Sequence, residues 1–310
     1  MGNMILTVCL SPCIDVTVEV DALEVGKTNI VKRKRCRAGG KAFNVALGVS
    51  RLKEEAFLTG FSYREGMESF ENLLREYGVG YRFLQSEGRV RENYKFIDHR
   101  SMLTEVNDVG APVSRDNLVR LLTEVSALSQ ESDVVVVSGG LPRGVPSEYY
   151  ADIFRSVSPR CFRVADATDG KLSAALEAGV DLVKPNREEL EYCVGRELHT
   201  TQERLDACRE LVARGTKYVL LSLGKEGAII TDGRESYFCK SAGVAVNSTV
   251  GAGDAMVAAA AIGLKNGASM PEILRSGTAA GSAAISTFED YAFSAEKYAE
   301  IYESLQVVPL

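Results

Sequence analysis

Histidine is nearly missing from this chain. His99 and His199 are the only two in 310 residues, which argues against a histidine-based triad or a typical zinc site and for surface or satisfied polar positions. Cysteine is present seven times, at 9, 13, 36, 161, 193, 208 and 239, but with no C-x-x-C pair. The thiols are therefore expected to be reduced and mostly buried. No long hydrophobic run occurs either: Ala255–Leu264 covers about half of what a bilayer requires. The start MGNMILTVCLSPCID lacks a basic region followed by an apolar stretch, so no signal peptide is expected. A cytoplasmic protein with no membrane partner follows as the expectation. Positive charge is not in excess. With 36 Lys and Arg against 42 Asp and Glu, the net charge of −6 argues against a nucleic-acid partner, which calls for cations to displace counterions from phosphates.

What is present is the composition of a globular protein, 45% hydrophobic and 25% charged with 28 glycines and 8 prolines. Apolar β-branched runs at 4–10, 55–60, 133–139, 161–167, 181–186 and 217–224 alternate with amphipathic segments at 114–130, 147–157 and 201–215. GAIITD and SYFCK read as a hairpin across Gly233. Such alternation predicts an α/β fold, a mainly parallel central sheet with helices on both faces. The exceptions are about 15–36 and 81–106, where apolar and polar residues alternate without an intervening helix. Both are expected to form a small outlying β sheet whose apolar face needs cover, from a second copy of the chain or from closure over a ligand.

The chemistry-bearing stretches follow predicted strands, where an open parallel sheet gathers its ligand crevice. In VNSTVGAGDAM (246–256), Gly251 and Gly253 open an alanine-rich helix whose unpaired N–H groups suit an anion. Asp254 reads either as a helix-start carboxylate or as a base beside a bound phosphoryl group. In RAGGKAFNVALGVSRL (37–52), Gly39 and Gly40 lead into a helix with Val45, Ala46, Val49 and Leu52 on its buried face. Lys41 at its start is an anion contact or a solvated lysine. Asn186 and Glu189 share a helix face and either approach a hydrated magnesium ion through water or decorate the helix start. A dinucleotide fingerprint fails because Met256 stands where a third glycine is needed, and GKT at 26–28 lacks the earlier glycine of a P-loop.

Taken in order, AGGKAFNVA, SGGLPRG, KPNREEL, LGKEGA and STVGAGDAMVA resemble the motifs of the ribokinase (PfkB) family of sugar kinases over nearly the whole chain. GRVRENYKF (88–96) and TEVNDVGAPVS (104–114) resemble its ketohexose-phosphate branch. The resemblance implies one kinase domain over 1–310, a three-layer α/β/α sandwich with a β-sheet lid that pairs two copies into a homodimer. It implies ATP and Mg2+ as cofactors and a sugar phosphate as substrate. Fructose 1-phosphate is the leading acceptor, with tagatose 6-phosphate or fructose 6-phosphate as alternatives and a non-catalytic sugar-phosphate sensor as a distant one.

By the same resemblance Asp254 is the catalytic base, and the N–H groups of Gly251, Ala252 and Gly253 steady the migrating phosphoryl group. Asp15, Gly39, Gly40, Asn44 and Asn107 meet the sugar hydroxyls, with Ser138 also on the substrate side. Lys41 and Arg91 meet the substrate's phosphate. Lys184, Asn186, Ser222, Gly224 and Gly227 serve the nucleotide, and Glu189 influences magnesium through water. Three departures stand out: Ser11 replaces Asn, Ala42 and Phe43 are expected to narrow the sugar pocket, and Gly139-Gly140 replaces Gly-Ser.

Overall fold

The computed structural model describes residues 4–245, 251–287 and 293–310. The first part of the STVGAGDAM stretch, 248–250, lies outside them. The first half of the chain forms β1 (Met4–Cys9), β2 (Cys13–Glu19), β3 (Arg33–Gly39), α1 (Lys41–Arg51), β4 (Glu55–Glu65), α2 (Glu68–Glu76), β5 (Gly80–Arg89), β6 (Arg91–Ile97) and β7 (Leu103–Asn107). Then come α3 (Arg115–Leu128), β8 (Ser132–Ser138), α4 (Tyr149–Ser156), β9 (Phe162–Asp166), α5 (Asp169–Glu177), β10 (Leu182–Val183), α6 (Arg187–Val194) and α7 (Thr201–Ala213). The chain closes with β11 (Tyr218–Ser222), β12 (Ala228–Thr231), β13 (Ser236–Cys239), α8 (Ala252–Lys265), α9 (Met270–Ser286), α10 (Ala295–Ser304) and β14 (Val307–Pro309).

Among the described residues a ten-stranded sheet runs β14-β13-β12-β11-β10-β9-β8-β1-β4-β5. It is parallel from β5 to β11 and antiparallel from there to β14. Strands buried on both faces carry continuous apolar runs, such as the four consecutive valines Val134–Val137 of β8. Alternate residues feed opposite cores. Ile5, Val134 and Val136 join α1, α2, α8, α9 and α10 on one face, while Leu6, Val8, Val135 and Val137 join α3 to α7 on the other. This is the three-layer sandwich expected from the sequence.

The second sheet has the order β3-β2-β6-β7, antiparallel except for β2 beside β6. The expected lid region 81–106 is corrected at its start, because Gly80–Arg89 pairs with β4 at the edge of the large sheet. The cause is local. Phe83 leans on one core and Leu84 on the other, so this edge strand is half covered on each side and its alternation mimics that of a one-faced sheet.

Small residues set the height of α8. A Cβ added at Gly48 of α1 would lie 2.9 Å from the Ala258 Cβ, and one at Gly281 of α9 would lie 2.9 Å from the Met256 Cγ. The three helices therefore approach closely, and the mouth of α8 is brought to the carboxyl ends of the parallel strands.

Candidate active site

A cleft of about 1100 Å³ opens where β1, β8, β9, β10 and β11 end and where α1 and α8 begin. Along it stand Asp15, Gly40, Lys41, Asn44, Arg91 and Ser138, then Lys184, Asn186, Glu189, Ser222, Gly224 and Gly227, and the α8 mouth from Gly251 to Asp254. Residues separated by more than two hundred positions thus share one cavity.

At that mouth Gly251 is the helix cap in the left-handed conformation, φ 86, which a side chain adopts only with strain. Asp254 sits in the first turn, 6% exposed, and accepts a hydrogen bond from the Asn44 Nδ2 at 2.7 Å. Gly251 holds the N-cap position with no side-chain cap hydrogen bond, and Asp254 lines the cleft. Burial, reinforced by the nearby charge of Asp166, raises its pKa to about 6 against the pull of Asn44, Lys41 and Lys184.

Asp166 was not singled out in the sequence. It ends β9, is 1% exposed, and accepts from the Ser138 hydroxyl at 2.9 Å. The ammonium groups of Lys41 and Lys184 each lie 3.2 Å from one of its oxygens. Burial opposes its charge, but Lys184, Lys41 and Ser138 outweigh that and hold its pKa at about 2. Burial likewise disfavours the Lys41 ammonium, and Asp166, Glu189 and Asp254 overcome it, so its pKa is raised. The signal for Asp166 was a lone carboxylate at the carboxyl end of a predicted strand, a position no motif marks.

The remaining expectations divide. Gly40, φ 129, packs beside Pro12 and Cys9. Gly39 does not line the cleft, but a Cβ there would lie 2.9 Å from the Asp15 Oδ2, so its smallness sets where that carboxylate stands. Gly39→Ala is expected to push Asp15 aside; if Asp15 meets the sugar, as the resemblance implies, the KM of the sugar rises several-fold with little change in that of the nucleotide, which steady-state kinetics with each substrate varied checks. Arg91 donates to the Asn93 Oδ1 at 2.9 Å and to the Asp108 carbonyl at 3.3 Å. Asn107, at the end of β7 in the small sheet, is exposed and lies outside the cleft, whereas Asn93, its register partner on β6, lines it.

Ala42 and Phe43 correct an expectation. Both are fully buried, and Phe43 meets Phe70 edge-on at 5.0 Å between ring centroids. Their side chains fill the core beneath α1 and do not line the cleft. Ser11, Gly139 and Gly140 do line the cleft.

Asn186 and Glu189 form a reciprocal cap, each side chain accepting the other's backbone N–H at 2.8 Å. The second Glu189 oxygen lies 3.8 Å from the Lys41 ammonium. Among the described residues no group of three or more His, Cys, Asp or Glu is placed to hold a metal ion. No described helix is long and apolar enough to cross a membrane.

A parallel-sheet crevice with a bare-backbone helix mouth, a buried carboxylate of raised pKa and clustered lysines suits phosphoryl transfer to an alcohol, and the comparisons with known proteins make the protein a phosphotransferase with an alcohol acceptor. The chain belongs to the pfkB family of carbohydrate kinases, whose sequence profile matches residues 4–297. It is similar to the 1-phosphofructokinase of Escherichia coli strain K12, 33% identical over 287 residues that make up 92% of each chain. The 1-phosphofructokinase of Rhodobacter capsulatus is 32% identical over 315 residues, 100% of this chain and 99% of that one. Among solved structures, phosphofructokinase-2 from Escherichia coli in complex with potassium superposes with a TM-score of 0.87 at 29% identity, covering 98% of this chain and 99% of the other.

Proposed function

We propose that this protein is an ATP-dependent kinase that transfers a phosphoryl group to the 6-hydroxyl of fructose 1-phosphate, giving fructose 1,6-bisphosphate. The observation that carries the reading is Asp254, a carboxylate of raised pKa fixed by Asn44 at the glycine-opened mouth of α8. The names of the similar curated relatives support the choice of acceptor.

In this reading Asp254 takes the proton of the attacking hydroxyl, and a base poised near pH 6 can do so at neutral pH. The N–H groups from Gly251 to Asp254 stabilise charge on the phosphoryl oxygens as the bond to the leaving nucleotide breaks. Asp166 holds Lys41 and Lys184 at the same level of the cleft, the first toward the acceptor and the second toward the nucleotide. Asp15, Gly40, Asn44 and Ser138 orient the sugar, and Arg91 supplies guanidinium donors to its phosphate. Asn186, Ser222, Gly224 and Gly227 shape the nucleotide end.

The donor set fits a magnesium ion that arrives with the nucleotide and keeps its water. Asp166 is engaged by two lysines and one Glu189 oxygen by its own helix cap, so direct carboxylate ligation is not prepared. Bound there, the ion would neutralise charge on the nucleotide phosphates, and Glu189 would act on it through water.

The reading is tested by supplying MgATP with fructose 1-phosphate, fructose 6-phosphate, tagatose 6-phosphate or free sugars and following ADP. Fructose 1-phosphate is expected to give the highest kcat/KM. Turnover of unphosphorylated sugars alone would remove the role of Arg91, and ADP formation with none of them would favour a sensor.

The lid is assigned to a homodimer contact. Ile30, Leu103, Val106 and Val109 are all more than half exposed on or beside it, and Val106 shares a face with Val16, Val18, Tyr94 and Phe96. Thr104→Glu combined with Val106→Glu, both on that face, is expected to halve the mass measured by light scattering, and an unchanged mass would move the contact elsewhere. A cytoplasmic setting is supported by the seven unpaired cysteines.

A further inference from the structure

Lys171 lies in the first turn of α5 and lines the same cleft as Lys184, Asn186 and Glu189. Its side chain is only 17% exposed, a low value for a lysine at a helix start. Its charge is held differently from those of Lys41 and Lys184, and Lys225 and Lys240 line the cleft as well. Lys41 and Lys184 stand 3.2 Å from the buried Asp166. Lys171 has one ion pair among the described residues, 3.9 Å from Asp169, a carboxylate that is 58% exposed and so well screened by water. Asp169 itself takes a left-handed conformation, φ 56, and stays out of the cleft while Lys171 lines it.

The sheet order fixes where this charge falls. β9 runs between β8 and β10, so the turn from β9 into α5 stands between Ser138-Gly139-Gly140 at the end of β8 and Lys184-Pro185-Asn186 at the end of β10. α5 also packs against α6, whose start carries Asn186 and Glu189. Lys225 and Lys240 line the cleft near Gly224 and Gly227, whereas Lys171 stands farther along, beside Lys184 and Asn186, where a phosphate tail running toward the α8 mouth would pass and where Lys41 and Lys184 share their charge with Asp166.

We infer that Lys171 is a further binding residue for the nucleotide and contacts its phosphate tail. This rests on the assignment of the Lys184 end of the cleft to the nucleotide. The test is calorimetric titration of ATP, with magnesium and without acceptor, into the wild type, Lys171→Met and Lys171→Arg, with fructose 1-phosphate titrated separately. Lys171→Met is expected to weaken ATP about tenfold, the scale of one charge-assisted contact, and to flatten the salt dependence of its binding. Lys171→Arg is expected to stay within about threefold, and fructose 1-phosphate binding is expected not to change. Unaltered ATP affinity in Lys171→Met, or weakened fructose 1-phosphate instead, overturns the inference. A drop in melting temperature without a change in ATP affinity overturns it as well, since that is the signature of a lysine that only covers the start of α5. Failure here is separable from failure of the reaction itself: a wild type that binds ATP but phosphorylates no sugar leaves this titration readable, whereas a wild type that binds no ATP overturns both.

Discussion

Asp254→Asn lowers kcat by about a hundredfold or more, the scale on which a positioned base contributes, while the affinities for ATP and sugar phosphate stay within a small factor. Asparagine can still accept the Asn44 hydrogen bond through its amide oxygen, so the local packing persists and the proton acceptor is what is lost. The same substitution is expected to stabilise the fold at neutral pH. The Asp254 carboxyl has an ordinary pKa of 3.8 and a folded value of about 6, so the folded state holds the proton more tightly than the unfolded chain. Its favourable contribution is therefore present below about pH 4 and disappears as pH rises through 6. Above that, keeping the charge buried costs the fold roughly 3 kcal/mol. Asp254→Asn removes that cost. Denaturant melts are expected to show the variant more stable than the wild type at pH 7.5, with the gap closing near pH 4. Equal activity in the two proteins would return Asp254 to a structural role.

Asp166→Asn is expected to damage both stability and rate. The carboxylate is the shared counter-ion of Lys41 and Lys184, and Lys184 is nearly as buried as Asp166 itself. Removing one member of such a cluster strands the others, at a cost of roughly 3 kcal/mol. The sign follows from its depressed pKa of about 2. The stability supplied by Asp166 is present above the unfolded value of 3.8 and is lost as pH falls toward 2, so wild type and variant converge only in strong acid. Turnover falls by about a hundredfold as the lysines leave their places around the migrating group. A second readout separates this from general loosening. After burial, the charge of Asp166 is the largest influence raising the Asp254 pKa, so in Asp166→Asn any residual activity keeps its acid limb at a lower pH than in the wild type. A limb left at the same pH would show that the two carboxylates do not sense each other.

The parts of this site that the sequence made visible are those in which the residue type itself is demanded by backbone geometry or by position after a strand. Gly251 has to be a glycine to cap α8 with a positive φ, and the consecutive valines of β8 could only be a strand covered on both faces. Asp254 stood out because a lone acid followed two glycines. Asp166 did not, because its role comes from Lys41, Lys184 and Ser138, partners brought by three other strand or helix ends. Phe43 misled for a related reason: its place beside Lys41 in the chain suggested the pocket, but the helical turn points it at Phe70. The alternation from 81 onward points to the small sheet, whereas Gly80–Arg89 pairs with β4, because alternation reports half-coverage and not the identity of the neighbour. Lys171 carries no sequence signal at all, because its low exposure in the cleft comes from the fold.

The most direct measurement is the pH dependence of kcat between 5 and 8 for the wild type and Asp254→Asn side by side, with MgATP and fructose 1-phosphate both saturating. The account predicts a loss of one-proton slope as pH falls through about 6 in the wild type, and its absence from the residual rate of the variant. The same limb in both proteins would assign it to another group and contradict the role given to Asp254.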